Sequence, residues 1–108
     1  MSDHRERAIG RNEAMVRRFN EMVEDVAVLE RSSTTTFVCE CGDQDCEAEI
    51  QLELVRYEEI RAVSTHFVVR PEHVHPGVEV VVAEHSGYWV VEKTGEAADE
   101  VRKSDPRS

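Results

Sequence analysis

The sequence lacks any run approaching the ~20 apolar residues that cross a bilayer, and its opening, Met1-Ser2-Asp3-His4-Arg5-Glu6-Arg7, lacks the apolar core of a secretory signal. No membrane partner is expected, and the expected location is cytoplasmic. Basic charge is short as well: 13 Lys and Arg stand against 23 Asp and Glu, a formal net charge of −10. Duplex nucleic acid is held largely through cations on phosphate, so a surface this acidic disfavours it as a partner. The five glycines are scattered, so no phosphate-cradling loop is present, and neither H-E-x-x-H nor H-x-E…P-C-x-x-C occurs. Aromatics make up only 6% of the 108 residues. That length admits one modest domain, with little core to stabilise it.

What is present falls into three zones, with expected boundaries at 1–33 (amphipathic helix and linker), 34–95 (a small α+β metal-binding domain) and 96–108 (a mobile tail). From Glu6 to Glu30, Ala8, Ile9, Met15, Val16, Phe19, Met22, Val23, Val26 and Leu29 recur at helical spacing. Charged residues, among them Arg5, Glu6, Arg7, Glu13, Arg17 and Glu24, occupy the other face. Ile9, Val16 and Val23 sit seven apart, with Asn12, Phe19 and Val26 at the complementary heptad positions. Two uses of this stripe are open: packing on the rest of the domain, or pairing with a second copy or a partner, with Asn12 fixing register.

The middle zone is rich in strands. Thr36 to Glu40 and the alternation of Ile50, Leu52 and Leu54 with Glu49, Gln51 and Glu53 predict a hairpin whose tip, Gly42-Asp43-Gln44-Asp45, carries the cysteines. Val55 to Val63 fits a short helix with Tyr57 and Ile60 on one face and Glu58 paired to Arg61. After Phe67-Val68-Val69 and a loop bracketed by Pro71 and Pro76, the runs 78–83 and 88–91 predict a second hairpin turning at Ser86-Gly87. The expected fold class is α+β. An N-terminal amphipathic helix precedes a strand-rich, zinc-stabilised unit with two hairpins and one short helix. Residues 96–108 offer almost nothing to bury.

All three cysteines lie in Cys39-Glu40-Cys41-Gly42-Asp43-Gln44-Asp45-Cys46, a C-x-C-x4-C spacing. Thiolates suit zinc, and a strand end followed by a glycine turn can aim three of them at one point. A fourth ligand is drawn from His66, His73, His75 and His85, with Asp43 or Asp45 as weaker options; His73, in the proline-bracketed loop, is preferred and His75 held in reserve. Buried inert thiols and a disulfide are the competing readings, and iron in place of zinc is open. A domain this small often needs such a staple.

The segments Phe37-Val38-Cys39-Glu40-Cys41-Gly42 with Cys46, Phe67-Val68-Val69 through Pro71 to His73, and Gly87-Tyr88-Trp89-Val90-Val91-Glu92-Lys93 carry a resemblance. The chain resembles a group of small, mainly actinobacterial proteins with an F-x-C-E-C-G-x3-C segment, a P-G-H loop and a G-Y-x-V-V-E-K ending. Glu72 stands at the glycine of that loop. The resemblance implies Cys39, Cys41, Cys46 and His73 as the metal ligands and implies no activity.

No catalytic residue and no organic cofactor site is assigned. Three thiolates make a weak Lewis acid, although Glu40 or His75 are the groups that would move a proton if only the cysteines bound the ion. The expected function is a non-catalytic, zinc-binding interaction or regulatory module. A zinc-thiolate redox switch is the alternative, and a small zinc hydrolase a more remote one. The acidic residues Glu47, Glu49, Glu53, Glu58, Glu59, Glu72, Glu79 and Glu84 would suit a basic protein partner. A homodimer through the N-terminal helix is a further expectation.

Overall fold

The structure is a computed structural model that describes residues 2–43 and 45–107, with side chains described from residue 8 onward. Gln44 of the expected turn, and the side chains of Arg5, Glu6 and Arg7, lie outside the described residues. A long helix α1 (Ser2–Leu29) leads into strand β1 (Thr34–Val38), which pairs antiparallel with β2 (Glu49–Glu53), Phe37 facing Ile50 in the register. Helix α2 (Leu54–Arg61) then crosses to a three-stranded antiparallel sheet formed by β3 (His66–Val69), β4 (Glu79–His85) and β5 (Tyr88–Lys93), in the order β3-β5-β4. The β4–β5 turn is the expected Ser86-Gly87, flanked by the pair His85 and Tyr88. A last helix, α3 (Gly95–Lys103), completes the α+β architecture. Among the described residues no helix is long and apolar enough to cross a membrane.

Alternation in β2 points Ile50 and Leu52 inward, where Phe37 stacks on Tyr57 of α2 with ring centroids 4.2 Å apart. Phe67, Val68, Val69, Val90, Val91 and Val101 close the same core. Tyr57 and Ile60 are the buried face of α2, as their spacing predicts.

Helix α1 turns much of its apolar stripe to solvent. Met15, Phe19, Met22, Val26 and Leu29 are 52–82% exposed, whereas Glu13, Arg17, Asn20 and Glu24 are buried. These five therefore do not pack on the domain, although Ile9 is buried with Val78 and Ala97 and Val23 packs against the core. Asn12 is no seam residue either, because its Nδ2 donates to the Gly42 carbonyl at 3.0 Å. Each member of the buried polar ladder meets a charged or polar partner, as buried polar groups generally do. The Lys93 ammonium lies between the Glu13 and Glu79 carboxylates. Arg17 donates to the Ser64 and Val101 carbonyls and stacks 4.3 Å over Phe67. Asn20 donates to the Val38 carbonyl and accepts from the Val38 amide at 3.0 Å. Glu79 is thus a buried ion-pair member and not part of an acidic surface.

The expected mobile tail is also corrected. Helix α3 crosses α1 where Gly10 leaves room, a Cβ there falling 3.1 Å from Glu100 Cβ, and Ala97, Ala98 and Val101 are buried. Beyond it, Asp105 receives Arg61 Nη2 at 2.7 Å, and Arg107 donates to Glu21, Glu24 and Glu58. Arg61 therefore pairs with Glu21 and Asp105, not with Glu58. Charge complementarity in a shielded groove holds this segment where apolar content could not.

Burial pushes the Asp105 carboxyl up, but hydrogen bonds from Arg61 and the Arg107 amide outweigh it and hold the group well below the usual carboxylate range. A depressed carboxyl contributes stability above its unfolded pKa of about 3.9 and loses it as pH falls toward the folded value. Asp105→Asn should therefore cost about 2 kcal/mol near neutrality and progressively less below about pH 4. Urea midpoints of both proteins across that range check this, and a pH-independent gap would refute it.

Candidate metal centre

The hairpin runs one rung past β1, the Cys39 amide donating to the Ala48 carbonyl at 2.9 Å. The next residue crosses to the other sheet, the Glu40 amide donating to the Val68 carbonyl at 2.9 Å. Glu40 is itself fully buried, its carboxylate accepting from Asn20 Nδ2 at 2.8 Å, the Tyr57 hydroxyl at 3.1 Å and the Val68 amide at 3.1 Å. Cys39 and Cys41 flank it. Gly42 then turns with φ 80° against α1, so closely that a Cβ would lie 2.6 Å from Glu13 Cγ. Asp43 Oδ1 accepts from the Asp45 amide at 2.9 Å and its carbonyl from the Cys46 amide at 3.1 Å, a turn that brings Cys46 back to the other two thiols.

The fourth member arrives from the loop after β3. Arg70-Pro71-Glu72-His73 closes with the His73 amide donating to the Arg70 carbonyl at 3.0 Å. With proline second and φ 71° third, it has the pattern of a type II turn, which favours glycine at the third position. Glu72 thus holds a left-handed conformation costly to a side chain. Replacing it by glycine should stabilise the protein by about 0.5–1 kcal/mol, read as a thermal midpoint higher by a few degrees; an unchanged or lower midpoint would refute the strain.

Cys39, Cys41, Cys46 and His73 each offer a donor atom, and all four lie within 4.8 Å of one another. His73 Nδ1 is 3.5 Å from Cys39 Sγ and 3.6 Å from Cys46 Sγ. A tetrahedral ion with bonds of about 2.3 Å to sulfur and about 2.0–2.1 Å to nitrogen separates those donors by ~3.5–3.6 Å. Those two spacings are the ones a tetrahedral metal would set, and Cys41 lies within reach of the same point. Cys39 and Cys41 are buried, Cys46 is half-buried and His73 exposed, so the centre sits at the surface with its sulfur side inward. The Arg70 amide donates to Cys39 Sγ at 3.3 Å, a hydrogen bond that favours thiolate.

Crowding of the three sulfurs splits their acidities. A hydrogen bond from Cys39, with others from His75 and the Asp43 amide, pushes Cys41 down to about 3, while the same Cys39–Cys41 contact and burial push Cys39 up. Burial raises Cys46. A divalent cation bound there would take the place of the protons on the raised thiols.

The other sequence-level candidates are engaged elsewhere. His75 Nε2 donates to the Cys41 carbonyl at 2.5 Å, so the reserve ligand braces the cysteine turn from outside the cluster. His66 meets Glu92 at 3.2 Å and His85 stacks on Tyr88. Glu40, imagined as a proton mover, is consumed by the scaffold. A cleft of about 280 Å³ opens beside the cluster, lined by Cys41, Asp43, Glu72, His73, Val74 and His75. Sequence reasoning missed the bracing histidine and the central acid. The only available signal for the acid was its position between two of the clustered cysteines. Neither a protein-family model, nor a curated protein, nor a solved structure matches the chain.

Proposed function

We propose that the chain is a small, non-catalytic zinc-binding domain in which the ion holds the cysteine hairpin to the histidine loop, the whole serving as a protein-interaction or regulatory module. The observation that carries this reading is the convergence of three sulfurs and one imidazole nitrogen within 4.8 Å of one another, with two nitrogen–sulfur distances at tetrahedral spacing. Zinc is favoured over harder cations by thiolate donors. Four protein donors would close the coordination shell, leaving no position for an activated water, which supports a structural over a catalytic ion. The exposed acids Glu47, Glu49, Glu53, Glu58, Glu59, Glu72 and Glu84 would suit a basic partner. Membership of the actinobacterial group with the C-E-C-G segment is part of the same proposal, and Glu72's left-handed turn is the conformation its P-G-H loop would require.

Native mass spectrometry of the purified protein beside its His73→Ala variant tests the reading. One zinc per chain, lost or weakened in the variant, supports it. Metal-free wild type with an intact fold, or iron in the site, overturns it.

A further inference from the structure

The solvent face of α1 is unlike an ordinary helix surface. Met15, Phe19, Met22, Val26 and Leu29 follow one another at spacings of four, three, four and three, all at least half exposed. That is the repeat of a coiled-coil seam, and over 15 residues it runs ~22 Å along the helix. Flanking the seam, Phe19, Met22, Val23 and Val26 form one wall of a groove of about 320 Å³ whose far side is Thr35 of β1. Contiguous exposed apolar surface of this kind marks an interaction site.

Charge beside the seam identifies its occupant. The N-terminal half is bordered by Arg11 and Arg18, the C-terminal half by Asp25 and Glu30, all exposed. Two copies laid parallel would set Asp25 of one against Glu30 of the other. Laid antiparallel about an axis near Met22, they set Arg18 of each copy against Asp25 of the partner subunit, Phe19 against Val26 and Met15 against Leu29. The helix dipoles then oppose favourably as well. The seam is therefore self-complementary in one orientation, the requirement of a two-fold interface.

We infer that α1 is a self-association seam on which a second copy of this chain docks antiparallel, with the two-fold axis near Met22. The inference stands apart from the metal reading, because the seam faces away from the buried Glu13–Glu24 ladder that meets the domain. A single helix pair is a small interface, so the dissociation constant should be on the order of micromolar.

Sedimentation equilibrium of the full, metal-loaded chain from about 1 µM to about 500 µM tests this. A reversible monomer–dimer equilibrium is expected. Met22→Glu, which buries two carboxylates face to face at the axis, should weaken it at least about a hundredfold with unchanged circular dichroism. Arg18→Asp and Asp25→Arg should each weaken it, and the double variant should restore it. A wild type monomeric throughout, a dimer indifferent to Met22→Glu, or a double variant no better than the singles would overturn the inference. A seam reserved for a different protein would give the first of these results.

Discussion

Stripping the metal at neutral pH should leave a largely unfolded chain, and returning zinc should restore the fold. Structural zinc supplies an apparent ~10–16 kcal/mol, as much as or more than the ~5–15 kcal/mol total stability of a domain. Here the ion would reinforce a joint that otherwise rests on a small shared apolar core and a few hydrogen bonds. Between the cysteine hairpin and the stretch from β3 into the His73 loop, the links are the Glu40 amide to Val68, the Glu40 carboxylate to the Val68 amide, the Arg70 amide to Cys39 Sγ, and His75 to the Cys41 carbonyl. Without a cation the cluster would retain three crowded sulfurs, two of them buried. Cys39→Ser and Cys41→Ser should therefore fail to fold. Cys46→Ser and His73→Ala, at the more exposed rim, should bind metal more weakly and keep the fold when zinc is in excess. Far-UV circular dichroism and urea midpoints with zinc and with chelator measure both effects. A cooperative transition at the same midpoint after complete demetallation would refute the dependence.

The parts of the fold that were legible in the sequence are those set by apolar periodicity and turn chemistry. Alternation gave β2, Ser86-Gly87 gave the second hairpin turn, and Tyr57 with Ile60 gave the inner face of α2. The clustering of Cys39, Cys41, Cys46 and His73 was legible for a related reason: three thiols in one acidic turn have no comfortable alternative, and a proline-bracketed histidine is a natural fourth donor. Helix α1 misleads because periodicity locates an apolar stripe without saying what faces it. The interior surface that receives α1 presents Lys93, Glu40 and Asp105, so the ladder Glu13, Arg17, Asn20 and Glu24 turns inward to meet charge with charge. The same effect hid the C-terminal segment. Composition counts apolar residues, and the anchors there are Asp105 and Arg107, whose partners Arg61, Glu21, Glu24 and Glu58 lie more than 40 residues away in the chain. Long-range ion pairs leave no local pattern.

Glu40→Ala should cost about 3–5 kcal/mol and lower metal affinity, making it the most damaging single change outside the Cys39–Cys41–Cys46–His73 cluster. Its carboxylate stands where α1, α2 and β3 meet, taking three hydrogen bonds while lying between two metal-site cysteines in sequence. Alanine would leave Asn20 Nδ2 with only the Val38 carbonyl, the Tyr57 hydroxyl and the Val68 amide without their acceptor, and a cavity beside them. Buried donors left unmet cost about 1–3 kcal/mol each before any relaxation. Glutamine distinguishes hydrogen bonding from charge. Its one oxygen can serve the Val68 amide or the Asn20–Tyr57 pair, and in either setting its amide nitrogen confronts a donor, so Glu40→Gln should fall between wild type and alanine at about 2 kcal/mol. Burial pushes the Glu40 carboxyl up, opposed by these same donors and by the positive charge of Arg17. If three donors hold it as a carboxylate, aspartate should rescue poorly, because its shorter arm cannot span from the hairpin to β3. Urea midpoints for Ala, Gln and Asp at position 40, with zinc affinity measured by competition against a chelator, give the ranking. Glutamine equal to wild type in both readings would show that Glu40 is held neutral and would overturn the argument that its charge organises the joint between the helices and the cysteine turn.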